Sequence, residues 1–247
     1  MQSTSVLALQ VLVMSKIEKI FFKSKSNYLF KVSGFYDADF ALSANDMIRQ
    51  HLIDESATQK AKHGLVSDEF RKDKIWYDNI QQSAIDEILS LKPNYTHALF
   101  PPMMRRVAHE RSEVPWHQDK GYQANLGERG HLDILTIFVY LSSLDKRRSR
   151  LMFMEHDLGS SDIEHFDNGK AANPIQISDN HLPAGELICP ELDLGDALIF
   201  GDETIHKTTP YHNNFERSSI EFRVANKKAI KPERDYFNLA DFTWQVS

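Results

Sequence analysis

The chain of 247 residues has one cysteine, no basic excess and no long apolar run, and each shortage excludes a class of protein. Cys189 alone cannot form an internal disulfide, which suits a reducing compartment, so we expect a cytoplasmic protein. The formal net charge of −6 argues against a general nucleic-acid surface, which would need an excess of Lys and Arg. No apolar stretch approaches the roughly 20 residues of a transmembrane helix, so we expect no membrane partner.

Several sequence signatures of catalysis are also absent. The chain has no G-x-S-x-G, no G-x-G-x-x-G, no P-loop and no C-x-x-C. Internal repeats and low-complexity tracts are absent as well. The length suits one domain spanning residues 1–247. Residues 1–14 contain two short apolar runs and no cationic start, so we expect a buried strand, or a true start at Met14, rather than a signal peptide.

The chain changes character near residue 95. Before it, Ser43 to Asp46 resembles a capping signal for a helix through Leu52, and apolar residues at helical spacing predict a second helix over 75–91. After it come short β-like runs at 97–107, 134–141, 151–154, 197–200 and 220–224. Residues 159–185 are polar and read as a long loop, typical of a lid. We expect a mainly β, jelly-roll-like core over 96–227, supported by the helix-rich residues 1–95 and followed by a C-terminal extension over 228–247.

Three H-x-D triplets occur, at residues 117–119, 131–133 and 165–167. The third is followed by Asn-Gly, a turn signal, so we expect it in a surface loop. The second directly precedes an apolar run and is expected to flank a strand, although it stays an alternative ligand pair. The first lies in an extended stretch, where residues two apart share a face, so His117 and Asp119 can bind the same ion.

A third ligand is predicted at His206, which follows a tight turn and a strand-like run. An isolated histidine is more often a core residue, but Arg217 follows eleven positions later on the next β-like run. Two histidines and one carboxylate can occupy one face of Fe(II) and leave three positions open for a co-substrate and oxygen. Arg217 can hold the far carboxylate of a 2-oxo acid, with the hydroxyl of Ser219 two positions away.

Arg223 is a competing candidate for that role. Arg217, Ser219, Glu221 and Arg223 alternate onto one face of the predicted strand, and Glu221 could pair with either arginine. A plain cross-strand ion pair is the simpler interpretation of these charges. Further arginines could present positive charge to an anionic substrate, although solvated basic loops are the simpler reading: Arg105, Arg106, Arg111, Arg147, Arg148 and Arg150.

These motifs together resemble the phytanoyl-CoA dioxygenase family of Fe(II)/2-oxoglutarate oxygenases. The resemblance rests on Trp-His-Gln-Asp at 116–119, Gly-Asp at 195–196 before His206, and Arg217 eleven residues later. It extends over residues 100–226, where 135–141 is similar to the family's central strand. The segments 146–150 and 155–160 depart from the family pattern, so the resemblance carries no substrate identity.

The resemblance implies a double-stranded β-helix and an enzyme that uses Fe(II), 2-oxoglutarate and O2. His117, Asp119 and His206 would be the iron ligands, and Arg217 would anchor 2-oxoglutarate. Thr208 matches a hydroxyl position that assists co-substrate binding. The expected reaction is hydroxylation of a C–H bond in a small molecule, with release of succinate and CO2; desaturation and ring closure stay open. Two alternatives also remain: a cupin-like metal enzyme that does not use 2-oxoglutarate, and a non-catalytic binding protein on the same β scaffold.

Overall fold

The computed structural model describes residues 16–20, 28–52, 66–107, 114–121, 134–142, 150–156, 163–167, 175–209, 217–226, 228 and 235–245. The helices in these ranges are α1 Ala38–Gln50, α2 Asp68–Arg71, α3 Ile75–Asp78 and α4 Gln82–Leu91. The strands are β1 Ile17–Ile20, β2 Leu29–Val32, β3 Tyr95–Leu99, β4 Met103–Val107, β5 Ile134–Tyr140, β6 Arg150–Met154, β7 His165–Asp167, β8 Ile175–Ile177, β9 Leu187–Ile188, β10 Ala197–Gly201, β11 His206–Thr209, β12 Arg217–Asn226, β13 Tyr236–Asn238 and β14 Thr243–Gln245.

Antiparallel pairing joins these strands into one large and two small sheets. The large sheet has the order β1-β2-β10-β5-β12-β3-β13-β14, and β4 also pairs with β12. A three-stranded sheet has the order β11-β6-β9, and β7 pairs with β8 in a separate two-stranded sheet. The C-terminal strands β13 and β14 thus extend the large sheet next to β3.

The large sheet is buried on both faces, which explains why β5 and β10 are buried throughout. Its outer face packs against α1, α3 and α4 through alternate residues such as Ile137, Ile199 and Phe222. Its inner face packs against the three-stranded sheet, where Phe138 and Phe200 meet Phe153. Side chains alternate between faces along a strand, so each central strand serves both cores. The inner face is the one that carries polar residues of the candidate site.

The helix boundaries differ from the sequence prediction. Helix α1 begins after Asp37, whose side chain accepts a hydrogen bond from the backbone N–H of Phe40 (2.8 Å), so the predicted start at Ser43 is wrong. The predicted helix over 75–91 is interrupted between α3 and α4. There the N–H of Gln81 donates to the carbonyl of Phe35 (3.0 Å) instead of continuing the helix. No helix among the described residues is long and apolar enough to cross a membrane.

The predicted loop over 159–185 contains regular structure in its described parts. Strands β7 and β8 pair with His165 opposite Ile177, and a short 3-10 turn follows at Asp179–His181. The expectation of an irregular loop is therefore wrong for these residues. Residues 1–14 and the triplet at 131–133 lie outside the described residues, as do Arg111, Arg147 and Arg148.

Candidate metal centre

The first H-x-D triplet and His206 come together between the large sheet and the three-stranded sheet. His117, Asp119 and His206 are all buried, and one ligand atom from each lies within 4.8 Å of the others. The Oδ1 atom of Asp119 is 3.7 Å from Nε2 of His117 and 3.9 Å from Nε2 of His206. These residues form the one group of potential metal ligands found in the part of the chain that the structure describes.

Backbone pairing brings the two histidines together. The N–H of His117 donates to the carbonyl of His206, and the N–H of His206 donates to the carbonyl of His117, both at 3.0 Å. His206 is the first residue of β11 and is therefore positioned by the three-stranded sheet. Its backbone pair with His117 brings residues 117–121 alongside β11. We call residues 117–121 the ligand turn. The imidazole centroids are 4.2 Å apart as a result.

Each histidine presents its Nε2 atom toward the other ligands because a backbone carbonyl holds Nδ1. The Nδ1 atom of His117 is 2.8 Å from the carbonyl oxygen of Pro115, and that of His206 is 2.9 Å from the carbonyl oxygen of Thr204. A carbonyl oxygen only accepts, so Nδ1 carries the proton and Nε2 carries the lone pair that can bind a metal. Burial, together with the nearby His206, lowers the pKa of His117 to about 3. His117 is therefore neutral and ready to bind a metal at pH 7.

Asp119 is held through its other oxygen. Its Oδ2 atom accepts hydrogen bonds from the hydroxyl of Thr136 (2.7 Å) and from the guanidinium of Arg223, while Oδ1 faces the histidines. Burial alone would raise the pKa of Asp119. The positive charge of Arg223 has the opposite effect, and His206, His117 and the Thr136 hydrogen bond make smaller contributions in the same direction as Arg223. Together they bring the pKa of Asp119 well below its usual range. Asp119 is thus an ionised carboxylate with one oxygen directed at the candidate site.

Thr136 and Arg223 are functional residues whose part at this site the sequence did not reveal. The sequence leaves Arg223 as a competing co-substrate anchor, but in the structure it contacts Asp119 and, through its second nitrogen, Glu221. Thr136 lies opposite Arg223 in the β5–β12 ladder. A threonine within the hydrophobic run of β5 is the one sequence signal for it. Burying an unpaired hydroxyl is costly, so such a residue has a polar partner.

The donor set fits Fe(II). Two neutral imidazoles and one carboxylate are the ligands of the facial triad, which leaves positions open for other ligands. The rings of Phe153 and Phe200 lie 5.9 Å and 4.7 Å from that of His206 and make this side of the site apolar. An apolar wall excludes water and strengthens electrostatic interactions within the site.

The predicted co-substrate residues are also buried. Arg217 is only 1% exposed, and its guanidinium carbon lies 5.1 Å from the ring centroid of Phe138 on the inner face. Ser219 follows on the same face, and Thr208 is buried two residues beyond His206 on β11. Burial and then the charge of Arg105 lower the pKa of Arg217 to about 10, so it remains a cation at pH 7. Their roles in co-substrate binding remain predictions.

The two neighbouring arginines of β4 face opposite sides of the sheet. Arg105 is paired with Ser219 in the β4–β12 ladder and so lies on the inner face with Arg217. Arg106 is paired with Ser218 and lies on the outer face, where burial and then Arg49 of α1 lower its pKa. Of these two arginines, Arg105 is therefore the one that places positive charge on the inner face.

The sequence predicts His165 in a surface loop, but His165 is half-buried and begins strand β7. Its Nε2 atom accepts a hydrogen bond from the backbone N–H of Gln118 (3.0 Å), between the two ligands of the H-x-D triplet. The sequence offered no signal for this contact because it joins positions 47 residues apart.

The fold agrees with that of solved non-haem oxygenases. EvdO2 from Micromonospora carbonacea var. aurantiaca aligns with a TM-score of 0.59 and 13% identity, over 81% of this chain and 87% of that one. The fold is that of non-haem α-ketoglutarate-dependent enzymes. The epimerase SnoN, solved with Fe3+, α-ketoglutarate and nogalamycin RO, aligns with a TM-score of 0.56 and 14% identity, over 87% of this chain and 83% of that one.

A third neighbour, the non-haem monooxygenase ThoJ, aligns with a TM-score of 0.56 and 14% identity, over 86% of this chain and 75% of that one. No family model and no curated protein matches the sequence. The predicted double-stranded β-helix is confirmed.

Proposed function

We propose that this protein is a non-haem Fe(II)- and 2-oxoglutarate-dependent oxygenase, similar to phytanoyl-CoA dioxygenase, that hydroxylates a small metabolite. The observation that carries the proposal is the convergence of His117, Asp119 and His206, with both Nε2 atoms and one carboxylate oxygen directed at a common point. The shared fold with α-ketoglutarate-dependent enzymes supports it. The single cysteine supports the further proposal that the protein works in the cytoplasm.

The reaction assigned to the site is R–H + O2 + 2-oxoglutarate → R–OH + succinate + CO2. Bound iron would activate O2, of which one oxygen atom goes to the substrate and the other to succinate. His117, Asp119 and His206 would hold the ion from one side and leave the opposite side for 2-oxoglutarate and oxygen. A carboxylate at position 119 fills the coordination position that iron halogenases of this superfamily leave for a halide, which favours hydroxylation.

Arg217 would bind the distal carboxylate of 2-oxoglutarate, assisted by the hydroxyls of Thr208 and Ser219. A guanidinium binds a carboxylate through two parallel hydrogen bonds, which fixes orientation as well as position. Because Arg217 is buried, few water molecules compete with its partner. A small metabolite is the proposed substrate class, by analogy with SnoN, whose solved complex contains nogalamycin RO.

The test is an anaerobic titration of the metal-free protein with Fe(II) and then 2-oxoglutarate, followed by visible absorption. We expect a charge-transfer band only when both are present. The band should be lost in His206→Ala and retained in His181→Ala, which removes an exposed histidine of the 3-10 turn. Iron binding without a band would favour a cupin-like enzyme that does not use 2-oxoglutarate. Failure to bind iron would favour a non-catalytic scaffold.

A further inference from the structure

The two peptide groups next to His117 are held by the β7–β8 hairpin. The backbone N–H and carbonyl of His117 itself both point to His206. Along an extended chain the groups of the neighbouring residues point the other way. On that side the carbonyl of Trp116 accepts from the N–H of Ile177 (2.7 Å), and the N–H of Gln118 donates to His165 (3.0 Å).

The imidazole of His165 accepts the hydrogen bond from the N–H of Gln118, which in a β-sheet would go to a backbone carbonyl of the neighbouring strand. Its Nδ1 atom is 2.7 Å from the carbonyl oxygen of Ile163, which fixes the proton on Nδ1 and leaves Nε2 as the acceptor for Gln118. His165 and Ile177 are paired directly in the hairpin, so the two contacts to residues 116 and 118 come from one antiparallel strand pair. Ile163 and Ile177 also pack with Trp116 and Ile205 in a buried apolar cluster.

Gly121 leaves the space that the ring occupies. A Cβ atom at Gly121 would lie 2.5 Å from Cδ2 of His165 and 2.7 Å from its Nε2, closer than side chains approach. The N–H of Gly121 donates to the carbonyl of Gln118 (3.0 Å), which closes the ligand turn around the ring. The ligand turn therefore contacts the His165 ring in two ways: the N–H of Gln118 donates to it, and Gly121 has no side chain that would clash with it.

We infer that His165 is a positioning residue that holds the ligand turn between the β7–β8 hairpin and β11, and so sets the direction of His117 and Asp119. The inference rests on the proposed metal site. From the other side the ligand turn is tied by the amide of Gln118, which donates to the carbonyl of Glu203 (2.6 Å), and by the N–H of Lys120, which donates to the carbonyl of Asp202 (3.1 Å). Without His165 the N–H of Gln118 would lose its hydrogen bond to the β7–β8 hairpin.

The test measures Co(II) affinity and the Co(II) absorption spectrum, without co-substrate or turnover, for two variants and a control. We expect His165→Ala to weaken Co(II) binding roughly tenfold to a hundredfold, as loss of an outer partner of metal ligands does. His165→Gln, whose amide oxygen can accept from Gln118, should recover most of the loss. Phe166→Ala removes the exposed neighbour on the same strand and should bind Co(II) like the wild type.

Amide hydrogen exchange gives a second readout that needs no metal. The Gln118 amide should be protected in the wild type and in His165→Gln, and should exchange faster in His165→Ala. Wild-type affinity and spectrum in His165→Ala would overturn the inference and leave the proposed function intact. Equal losses in His165→Ala and His165→Gln would also overturn it. A wild type that binds no Co(II) would instead overturn the proposed function and the inference together.

Discussion

The hydroxyl of Thr136 and the guanidinium of Arg223 determine which oxygen of Asp119 faces the histidines. Both donate to Oδ2, so Oδ1 is the oxygen presented to a metal. The positions of His117 and Asp119 could be predicted because two-residue spacing in an extended chain places side chains on one face. The contacts of Thr136 and Arg223 with Asp119 could not be predicted, because they depend on the register of β5 against β12, which no local pattern specifies.

The two arginines of β12 should have separable effects. Arg217→Ala should cost ~2–5 kcal/mol of 2-oxoglutarate binding, because it removes a buried charge partner, and should leave metal binding nearly unchanged. Arg223→Ala should chiefly weaken Co(II) binding, because Asp119 loses its charged donor. Titration with Co(II), then with 2-oxoglutarate at saturating Co(II), measures both. Equal losses of 2-oxoglutarate affinity in the two variants would contradict the assignment of Arg217.

The adjacent arginines of β4 provide a matched pair. Arg105→Gln removes a positive charge from the inner face near Arg217 and should weaken 2-oxoglutarate binding roughly tenfold through the lost electrostatic attraction. Arg106→Gln removes one positive charge from the outer face and should leave the dissociation constant of 2-oxoglutarate unchanged. Calorimetry on the Co(II)-loaded variants is the measurement. Identical constants for both variants would remove Arg105 from the anion-binding face.

The lowered pKa of His117 predicts how the metal-free protein responds to acid. Its folded pKa of about 3 lies below the ordinary value of 6.5, so between these values the unfolded chain binds the proton and the folded chain does not. Stability therefore falls as the pH is lowered through this window, by up to about 1.4 kcal/mol per pH unit from this group. Urea unfolding of metal-free His117→Asn between pH 6 and 4 should show a smaller pH dependence than the wild type. Equal slopes would contradict the lowered pKa.

At the scale of elements, periodicity predicted the strands better than the helices. The runs at 134–141 and 197–200 became β5 and β10 because strands buried on both faces read as continuous apolar sequences. The capping signal at Ser43 failed because Asp37, six residues earlier, already caps α1. The hairpin β7–β8 was missed because its strands have three residues each, too few to establish a period.

The turn before β10 shows how one glycine fixes an element. Gly195 has φ of +84°, and a Cβ atom there would lie 2.4 Å from the carbonyl oxygen of Tyr36. Gly195→Ala should therefore destabilise the protein by about 1–3 kcal/mol in urea unfolding. Gly201→Ala is the control, because its Cβ would meet the hydroxyl end of Tyr28 at 3.1 Å, where a side chain can shift. A smaller loss in the free energy of unfolding for Gly195→Ala than for Gly201→Ala would contradict the expected backbone strain at position 195.

At the scale of the whole molecule, the candidate metal centre joins the two sheets of the barrel. His206 belongs to the three-stranded sheet, whereas Asp119 is held by Thr136 and Arg223 of the large sheet. A metal bound to both would connect layers that otherwise meet through apolar contacts such as Phe153 with Phe200. The sequence predicted the β core and proposed the candidate ligand residues, but the long-range strand order that brings these residues together from the two sheets had no local signature.

Metal binding should therefore stabilise the folded state as a whole. A ligand that binds only the folded state at a hundred times its dissociation constant adds about 2.7 kcal/mol to the free energy of unfolding. We expect Co(II) to produce this increase in the wild type and none in His206→Ala, measured by urea unfolding with and without the metal. Arg217→Ala lies outside the ligand set and should show the full increase. If His206→Ala were stabilised as much as the wild type, Co(II) would be binding elsewhere, and the connection between the two sheets would not be the source of the stability.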